Sequence, residues 1–306
     1  VDKRRIGSLE VSVVGLGCNN FGMRIDRQSS ARVVEAALAA RINFFDTSDT
    51  YGPSEEYLGR ALGARRKAVF IATKFGKPVP GQGEGATPAY VKLAVEASLR
   101  RLRTDYIDLY QLHAPVPSVP IADTLGALDG LVRAGKVREI GCSNFDMQQI
   151  REATRAARHG GARFASVQNE YSLLQRAPED GVLDTCAELG MAFIPYFPLA
   201  NGLLTGKYRA GREPPTGTRI SEMEYFKRWL TPERLATVEA LARFAESRGR
   251  RLLDLAISWL TLRSPVATVI AGATSEDQVK RNALAATWKL SSDEMAQVDA
   301  LTVPSS

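Results

Sequence analysis

Short apolar runs that end on a polar residue alternate along this chain with longer runs whose apolar positions recur every three to four residues. The short runs at 11–17, 42–46, 69–74, 106–113, 137–143, 165–169, 192–196 and 268–271 have the length and the β-branched or aromatic content of buried strands. The longer runs predict helices. One spans 30–40, with Ser30 as its N-cap, and another 55–62. A third is opened by Thr87 and Pro88 and runs to 102, and a fourth covers 121–134 and closes at Gly135. Further helices end near 157 and at 189 before Gly190, and two more cover 232–247 and 253–263. Residues 3–9 read as a strand of a hairpin that plugs the bottom of the fold.

Eight strand–helix units in series are the arithmetic of a (β/α)8 TIM barrel, here with an N-terminal hairpin and extra C-terminal helices. A chain of 306 residues is normal for one such barrel, so a single domain spanning 1–306 is expected. The long interval between Tyr196 and Ala271 contains a Pro/Gly-rich loop, and 209–231 is expected to lie over the mouth. A doubly wound nucleotide-binding sheet would need GxGxxG after its first strand. The candidate starting at Gly15 has Asn20 at the third glycine position and no capped helix directly behind it, so that architecture is rejected.

Strand C-termini of a barrel converge on one mouth, which makes neighbours of Asp46, Lys74 and His113. Tyr51 follows Asp46 on the outgoing loop. Each residue alone has a plain structural reading: a turn cap, a snorkelling lysine, a satisfied histidine, an interfacial aromatic. Together, on one side, they suggest a general acid/base built on tyrosine. A free phenol titrates near ~10; an adjacent ammonium favours its ionised form, and a carboxylate behind the lysine keeps the lysine charged. Alternation along 106–113 puts His113 on one face with Ile107, Leu109 and Gln111, the face expected to look into the barrel. The other histidine, His159, sits in a loop-like RHGG and reads as surface.

Charge alters this picture little. The net charge is +6, but Lys and Arg are interspersed with acids and no basic–aromatic stripe is present, so no nucleic-acid partner is expected. A basic mouth would attract a phosphorylated cofactor. Cys18, Cys142 and Cys186 show no metal spacing and read as reduced thiols; with two histidines and no clustered carboxylate ligands, no metal is expected. No run approaches a membrane span and the N-terminal residues lack a signal-peptide apolar region, so a cytoplasmic location and no membrane partner are expected.

The stretches LGCNNFG (16–22), FFDTSDTYG (44–52), IATK (71–74), LRRLRTDYIDLYQLHAP (99–115), GKVREIGCSNF (135–145), VQNEYSLL (167–174), IPYFPLANGLLTGKY (194–208) and VIAGATSEDQVKRN (269–282) together resemble the aldo-keto reductase superfamily. Its members are NAD(P)H-dependent oxidoreductases built on this barrel without a Rossmann fold. The resemblance implies reversible reduction of aldehydes or ketones, with Tyr51 as proton donor, Lys74 and Asp46 tuning it, and His113 orienting the carbonyl. It also implies that Ser143, Asn144 and Gln168 hold the nicotinamide carboxamide and that Tyr196 stacks on the ring, with Cys18, Asn19, Asp46 and Tyr51 near the same cofactor. Pro198, Leu199, Gly202, Leu203, Gly206 and Lys207 are similar to the pyrophosphate segment, and Gly272, Thr274, Ser275, Gln278 and Asn282 to the adenosine segment. Gly272 and Gln278 stand where some members carry lysine and arginine, but Lys280 and Arg281 offer charge nearby, so NADPH is expected over NADH. Asn19, Asn20, Phe21, Tyr51, His113, Tyr225, Phe226 and Trp229 are expected to line a substrate pocket suited to an apolar or aromatic small-molecule carbonyl compound. A monomer is expected. The alternative implied by the resemblance is a cofactor-binding regulatory subunit similar to the potassium-channel β-subunits.

Overall fold

The structure is a computed structural model that describes residues 2–302 apart from 158, 210 and 223; the side chains of 219, 225 and 226 lie outside that description. Strands β1 (Lys3–Ile6) and β2 (Leu9–Ser12) pair antiparallel as the N-terminal hairpin. The apolar run at 11–17 is therefore two elements, not one strand. Ser12 donates its hydroxyl to the Val14 carbonyl and its N–H to Asn43 Oδ1, which turns the chain before β3 (Val14–Gly17).

Strand β3 begins an eight-stranded parallel sheet that continues through β4 (Phe44–Asp46), β5 (Phe70–Phe75), β6 (Ile107–Leu112), β7 (Val137–Ser143), β8 (Phe164–Glu170) and β9 (Ala192–Tyr196), with β10 (Val269–Gly272) beside β3. The Phe193 N–H donates to the Pro265 carbonyl and the Ala267 N–H to the Phe193 carbonyl, joining β9 to the segment that leads into β10 and closing the barrel.

Between the strands lie α1 (Arg27–Ala39), α2 (Ser54–Leu62), α3 (Pro88–Leu102), α4 (Ile121–Arg133), α5 (Met147–Ala156) and α6 (Val182–Leu189). Helix α1 starts earlier than Ser30: Asp26 caps it by accepting the Ser29 N–H, and the Ser30 hydroxyl bonds back to the Asp26 carbonyl. The stretch expected as a loop over the mouth contains the short helices α7 (Arg219–Glu222) and α8 (Glu224–Lys227). Helices α9 (Pro232–Glu246), α10 (Leu252–Thr261), α11 (Glu276–Ala285) and α12 (Ser292–Thr302) follow, the last being one of the expected extra C-terminal helices. In α2, Gly59 allows close approach to α3: a Cβ there would lie 2.3 Å from the Leu102 carbonyl oxygen.

Two apolar layers hold the barrel. The outer one lies between strands and helices and includes Phe45, Ile71, Tyr110 and Leu128. The inner one combines Phe44, Ala72, Leu109, Ile194 and Ile270 with Ile6, Leu9 and Val11 of the hairpin. The hairpin thus supplies the floor of the barrel interior. Arg4 ties it down by donating to the carbonyls of Val266 and Thr261, 2.5 Å each.

Candidate active site

Alternation carries the inner layer upward into chemistry. Above Phe44 the next inward position of β4 is Asp46, and above Ala72 the next of β5 is Lys74; His113 lies one residue beyond β6, above Leu109 and Gln111. Lys74 Nζ donates to Asp46 Oδ2 at 2.6 Å and to the Thr47 carbonyl at 2.8 Å, and all of this is buried. Asp46 Oδ1 accepts from Gln168 Nε2 at 2.8 Å and Gln111 Nε2 at 3.3 Å. Gly141 makes room for that arrangement, because a Cβ there would sit 2.8 Å from Ser166 Oγ and 3.2 Å from Gln111 Cγ.

Tyr51 completes the group. Lys74 Nζ is 5.1 Å from its ring centroid, and the rings of Tyr51 and His113 meet edge-on with centroids 5.9 Å apart. His113 Nδ1 lies 3.1 Å from Ser48 Oγ, and its backbone carbonyl accepts from Asn144 Nδ2 at 2.9 Å. The four residues expected at one mouth are thus brought together.

Their electrostatics depart from the sequence expectation at one point. Burial works against the Lys74 ammonium, but the charges of Asp46 and Tyr51 and hydrogen bonds to both lift its pKa above the ordinary lysine value. Burial also pushes the Tyr51 phenol up; Lys74 pulls it back, Asp46 and Asp49 push it further, and the net direction is upward. The acidic phenol expected from its neighbours is therefore corrected: here desolvation outweighs the lysine, and Tyr51 is held protonated. Burial, then Lys74 and Lys77, lowers His113 to about 2, so its imidazole is neutral.

A cavity of about 670 Å³ opens over these residues and extends past the ends of β7–β10. Of the residues expected in contact with a cofactor, Asn19, Asp46, Tyr51, Ser143, Asn144, Gln168, Tyr196, Pro198, Leu199, Gly202, Lys207, Gly272, Thr274, Gln278 and Asn282 line it. Cys18 and Leu203 are instead fully buried, and Gly206 and Ser275 are not among its lining residues. Ser275 caps α11, its hydroxyl accepting the Gln278 N–H at 3.3 Å. Asn20 lines the cavity, whereas Phe21 packs in the outer apolar layer. Trp229 lies against the Arg234 guanidinium, 4.2 Å from its ring centroid, and is not a lining residue either. The side chains of Tyr225 and Phe226 lie outside the described residues.

Sequence reading missed Gly17, Met23, Arg24, Thr50, Lys77, Phe197, Asn201, Thr205, Leu253, Ile270 and, as a lining residue, Arg281. Asn201 is the most informative, because its amide oxygen and nitrogen are both buried without a partner in the protein. Its one visible signal was a side-chain amide inside the stretch at 198–207, where asparagine also suits the left-handed backbone it adopts at φ 58°.

The cavity suits a dinucleotide. Asn201 offers unused donors and an acceptor, Lys207 and Arg281 offer positive charge, and Gly17, Gly202 and Gly272 keep its wall low. A Cβ at Gly202 would approach Lys207 Cε to 3.1 Å, and one at Gly272 would approach Asn20 Nδ2 to 3.2 Å. Tyr196, whose hydroxyl donates to Asn144 Oδ1 at 2.7 Å, presents a flat aromatic surface at the tetrad end.

A closed parallel barrel with its polar side chains gathered at the strand C-termini defines a barrel enzyme. The profile of the Aldo/keto reductase family matches residues 13–303, and the chain belongs to that family. The chain is 32% identical over 330 aligned positions to Protein tas of Escherichia coli (strain K12), covering 96% of this chain and 95% of that protein. It is also 32% identical over 309 positions to the aldo-keto reductase str7 of Strobilurus tenacellus, with 96% and 90% covered. Among solved structures, the glycerol dehydrogenase AKR11B4 from Gluconobacter oxydans superposes with a TM-score of 0.86 at 30% identity, covering 100% of this chain and 97% of that one. The protein is accordingly an oxidoreductase acting on carbonyl or alcohol groups, in a family that generally uses nicotinamide cofactors. Among the described residues no helix is long and apolar enough to cross a membrane, and no cluster of three or more His, Cys, Asp or Glu could hold a metal ion.

Proposed function

We propose that the protein reduces aldehydes or ketones to alcohols with NADPH, reversibly, and that Tyr51 donates the proton. The observation that carries this reading is the Lys74 ammonium, buried against Asp46 and facing the Tyr51 ring. A bound nicotinamide cofactor supplies the hydride. The remaining work falls to this chain. Tyr51, kept protonated by burial, gives its proton to the carbonyl oxygen, and Lys74 stabilises the phenolate that results. Neutral His113 offers a ring nitrogen to the same oxygen and orients it. Oxidation of an alcohol uses the same groups in reverse.

Lys207 and Arg281 favour a phosphorylated nucleotide, and Arg281 suits the 2′-phosphate because it lies on α11 at the cavity wall, half-exposed and paired with the exposed Asp277 at 2.7 Å. The loops that follow β3, β4 and β5 bring Asn20, Met23, Thr50 and Lys77 to the tetrad end of the cavity. These are mainly polar groups, so a carbonyl compound with polar substituents fits this end better than a purely aromatic one.

Fluorescence titration with NADPH and NADH, followed by 4-nitrobenzaldehyde turnover, tests the reading. Tyr51→Phe should bind NADPH nearly as tightly as the wild type and lose about 10²–10⁴-fold in kcat. Wild-type turnover in that variant would overturn the assignment of the proton donor. Tight NADPH binding with negligible turnover of any carbonyl compound by the wild type would favour a partner-binding role instead.

A further inference from the structure

We propose that Asp49 is a positioning residue that, acting through Ser48, decides which ring nitrogen of His113 carries the proton. The inference rests on the reading that His113 faces the substrate oxygen. Ser48, Asp49 and Thr50 lie on the loop that leads from β4 to Tyr51. Ser48 Oγ is 3.1 Å from His113 Nδ1, 3.2 Å from Asp49 Oδ1 and 2.9 Å from Thr50 Oγ1, and it accepts the Thr50 N–H at 3.2 Å. Ser48 and Asp49 are buried, and Asp49 Oδ2 has no hydrogen-bond partner in the protein. With Nδ1 engaged by Ser48, Nε2 is the nitrogen that His113 can offer to the cavity it lines.

A serine hydroxyl has one proton to donate, which couples the two ends of this chain. An ionised Asp49 only accepts, so Ser48 donates to Asp49 and His113 must donate from Nδ1. Nε2 is then bare and cannot donate to the reacting oxygen. A protonated Asp49 can donate to Ser48, which frees the hydroxyl proton for Nδ1, and the imidazole then carries its proton on Nε2. That tautomer donates to a carbonyl oxygen. The two states differ by one solvent proton: it enters at Nε2, Nδ1 passes its own proton to Ser48 Oγ, and Ser48 passes its own to Asp49. No other reactant is required.

The surroundings place this balance in a useful range. Burial, then the neighbouring Glu55, raises the Asp49 carboxyl to about 7, while Ser48, Arg101 and the Thr50 N–H oppose the shift. Glu55 of α2 is itself held by Thr73 Oγ1 and Arg101 Nε, both at 2.6 Å. Tyr90 of α3, Tyr110 of β6 and the Tyr51 phenol also feel the Asp49 charge. The imidazole remains neutral throughout, so a choice of tautomer rather than a change of charge is what Asp49 controls. The tautomer able to donate to the reacting oxygen prevails below pH ~7 and is lost above it.

The chain has two histidines, which makes the test direct. With ¹⁵N-histidine labelling and the exposed His159 replaced (His159→Gln), the two ring-nitrogen shifts of His113 should exchange tautomer with a midpoint near pH 7. In Asp49→Asn and in Ser48→Ala, His113 should keep a single tautomer from pH 5.5 to 9. In parallel, wild-type kcat for aldehyde reduction should fall above that midpoint, approaching tenfold per pH unit, and this limb should vanish in both variants. A single tautomer in the wild type at every pH, or a midpoint that survives in Asp49→Asn, overturns the proposal. The nitrogen shifts read the inference without turnover, so its failure is separable from failure of the Tyr51 assignment, which the Tyr51→Phe kinetics decide.

Discussion

Lys74 Nζ lies 2.6 Å from Asp46 Oδ2 inside a barrel mouth where neither side chain reaches bulk water. Removing one partner leaves the other charge buried with too few compensating groups. Lys74→Met should therefore destabilise the protein by about 3–5 kcal/mol, read from urea denaturation, as well as suppress turnover. The double variant Asp46→Asn/Lys74→Met should recover part of the stability and none of the activity. A stability loss below about 1 kcal/mol for Lys74→Met would show that the pair is better solvated than its geometry implies.

His113 should make folding sensitive to acid. Its folded-state pKa, about 2, lies below the ordinary value of 6.5. As pH falls below that ordinary value the unfolded chain binds a proton that the folded chain refuses, so this contribution to stability is complete above it and declines toward low pH. The decline approaches ~1.4 kcal/mol per pH unit. Between pH 7 and pH 5 the wild type should thus lose about 2 kcal/mol more than His113→Gln, measured as paired denaturation curves. Parallel pH profiles would refute the neutral, buried imidazole.

Arg281 should determine much of the cofactor preference. Arg281→Met is expected to weaken NADPH binding by about tenfold or more, about 1.4 kcal/mol, while leaving NADH binding within about twofold. Fluorescence titration of both nucleotides checks this. Equal weakening of the two would assign Arg281 to the part of the cofactor they share.

Gly59→Ala gives a test of packing remote from the chemistry. A helix interior ordinarily prefers alanine, yet the added Cβ would meet the Leu102 carbonyl oxygen at 2.3 Å, a backbone atom that cannot swing aside. The substitution should destabilise by about 1–3 kcal/mol with little change in kcat. A stabilised protein would mean that α2 and α3 separate more readily than their contact suggests.

Much of the fold was legible because its signals are local. The strands end on Asp46, one residue past Lys74 and one residue before His113, since the same alternation that buries Phe44, Ala72 and Leu109 aims the next polar residues into the mouth. What escaped was set by distant contacts. The 11–17 run looks continuous, and only bonds between Ser12 and Asn43 show where it breaks. Asp26 and Ser30 are both good caps, and the choice depends on where α1 meets its neighbours. The direction of the Tyr51 shift could not be read from Lys74 and Asp46 alone, because the depth of burial is a property of the whole barrel. Phe21 and Trp229 look like pocket aromatics in sequence, yet Phe21 serves packing and Trp229 lies against Arg234.

The hairpin beneath the barrel has a consequence for traffic. With Ile6, Leu9 and Val11 stoppering the lower end of the interior, the described residues leave no passage through the cylinder. Reactant and product must then use the same doorway, in turn. Whatever narrows that doorway slows departure as much as arrival, and the pace of the cycle becomes answerable to the loops around the rim.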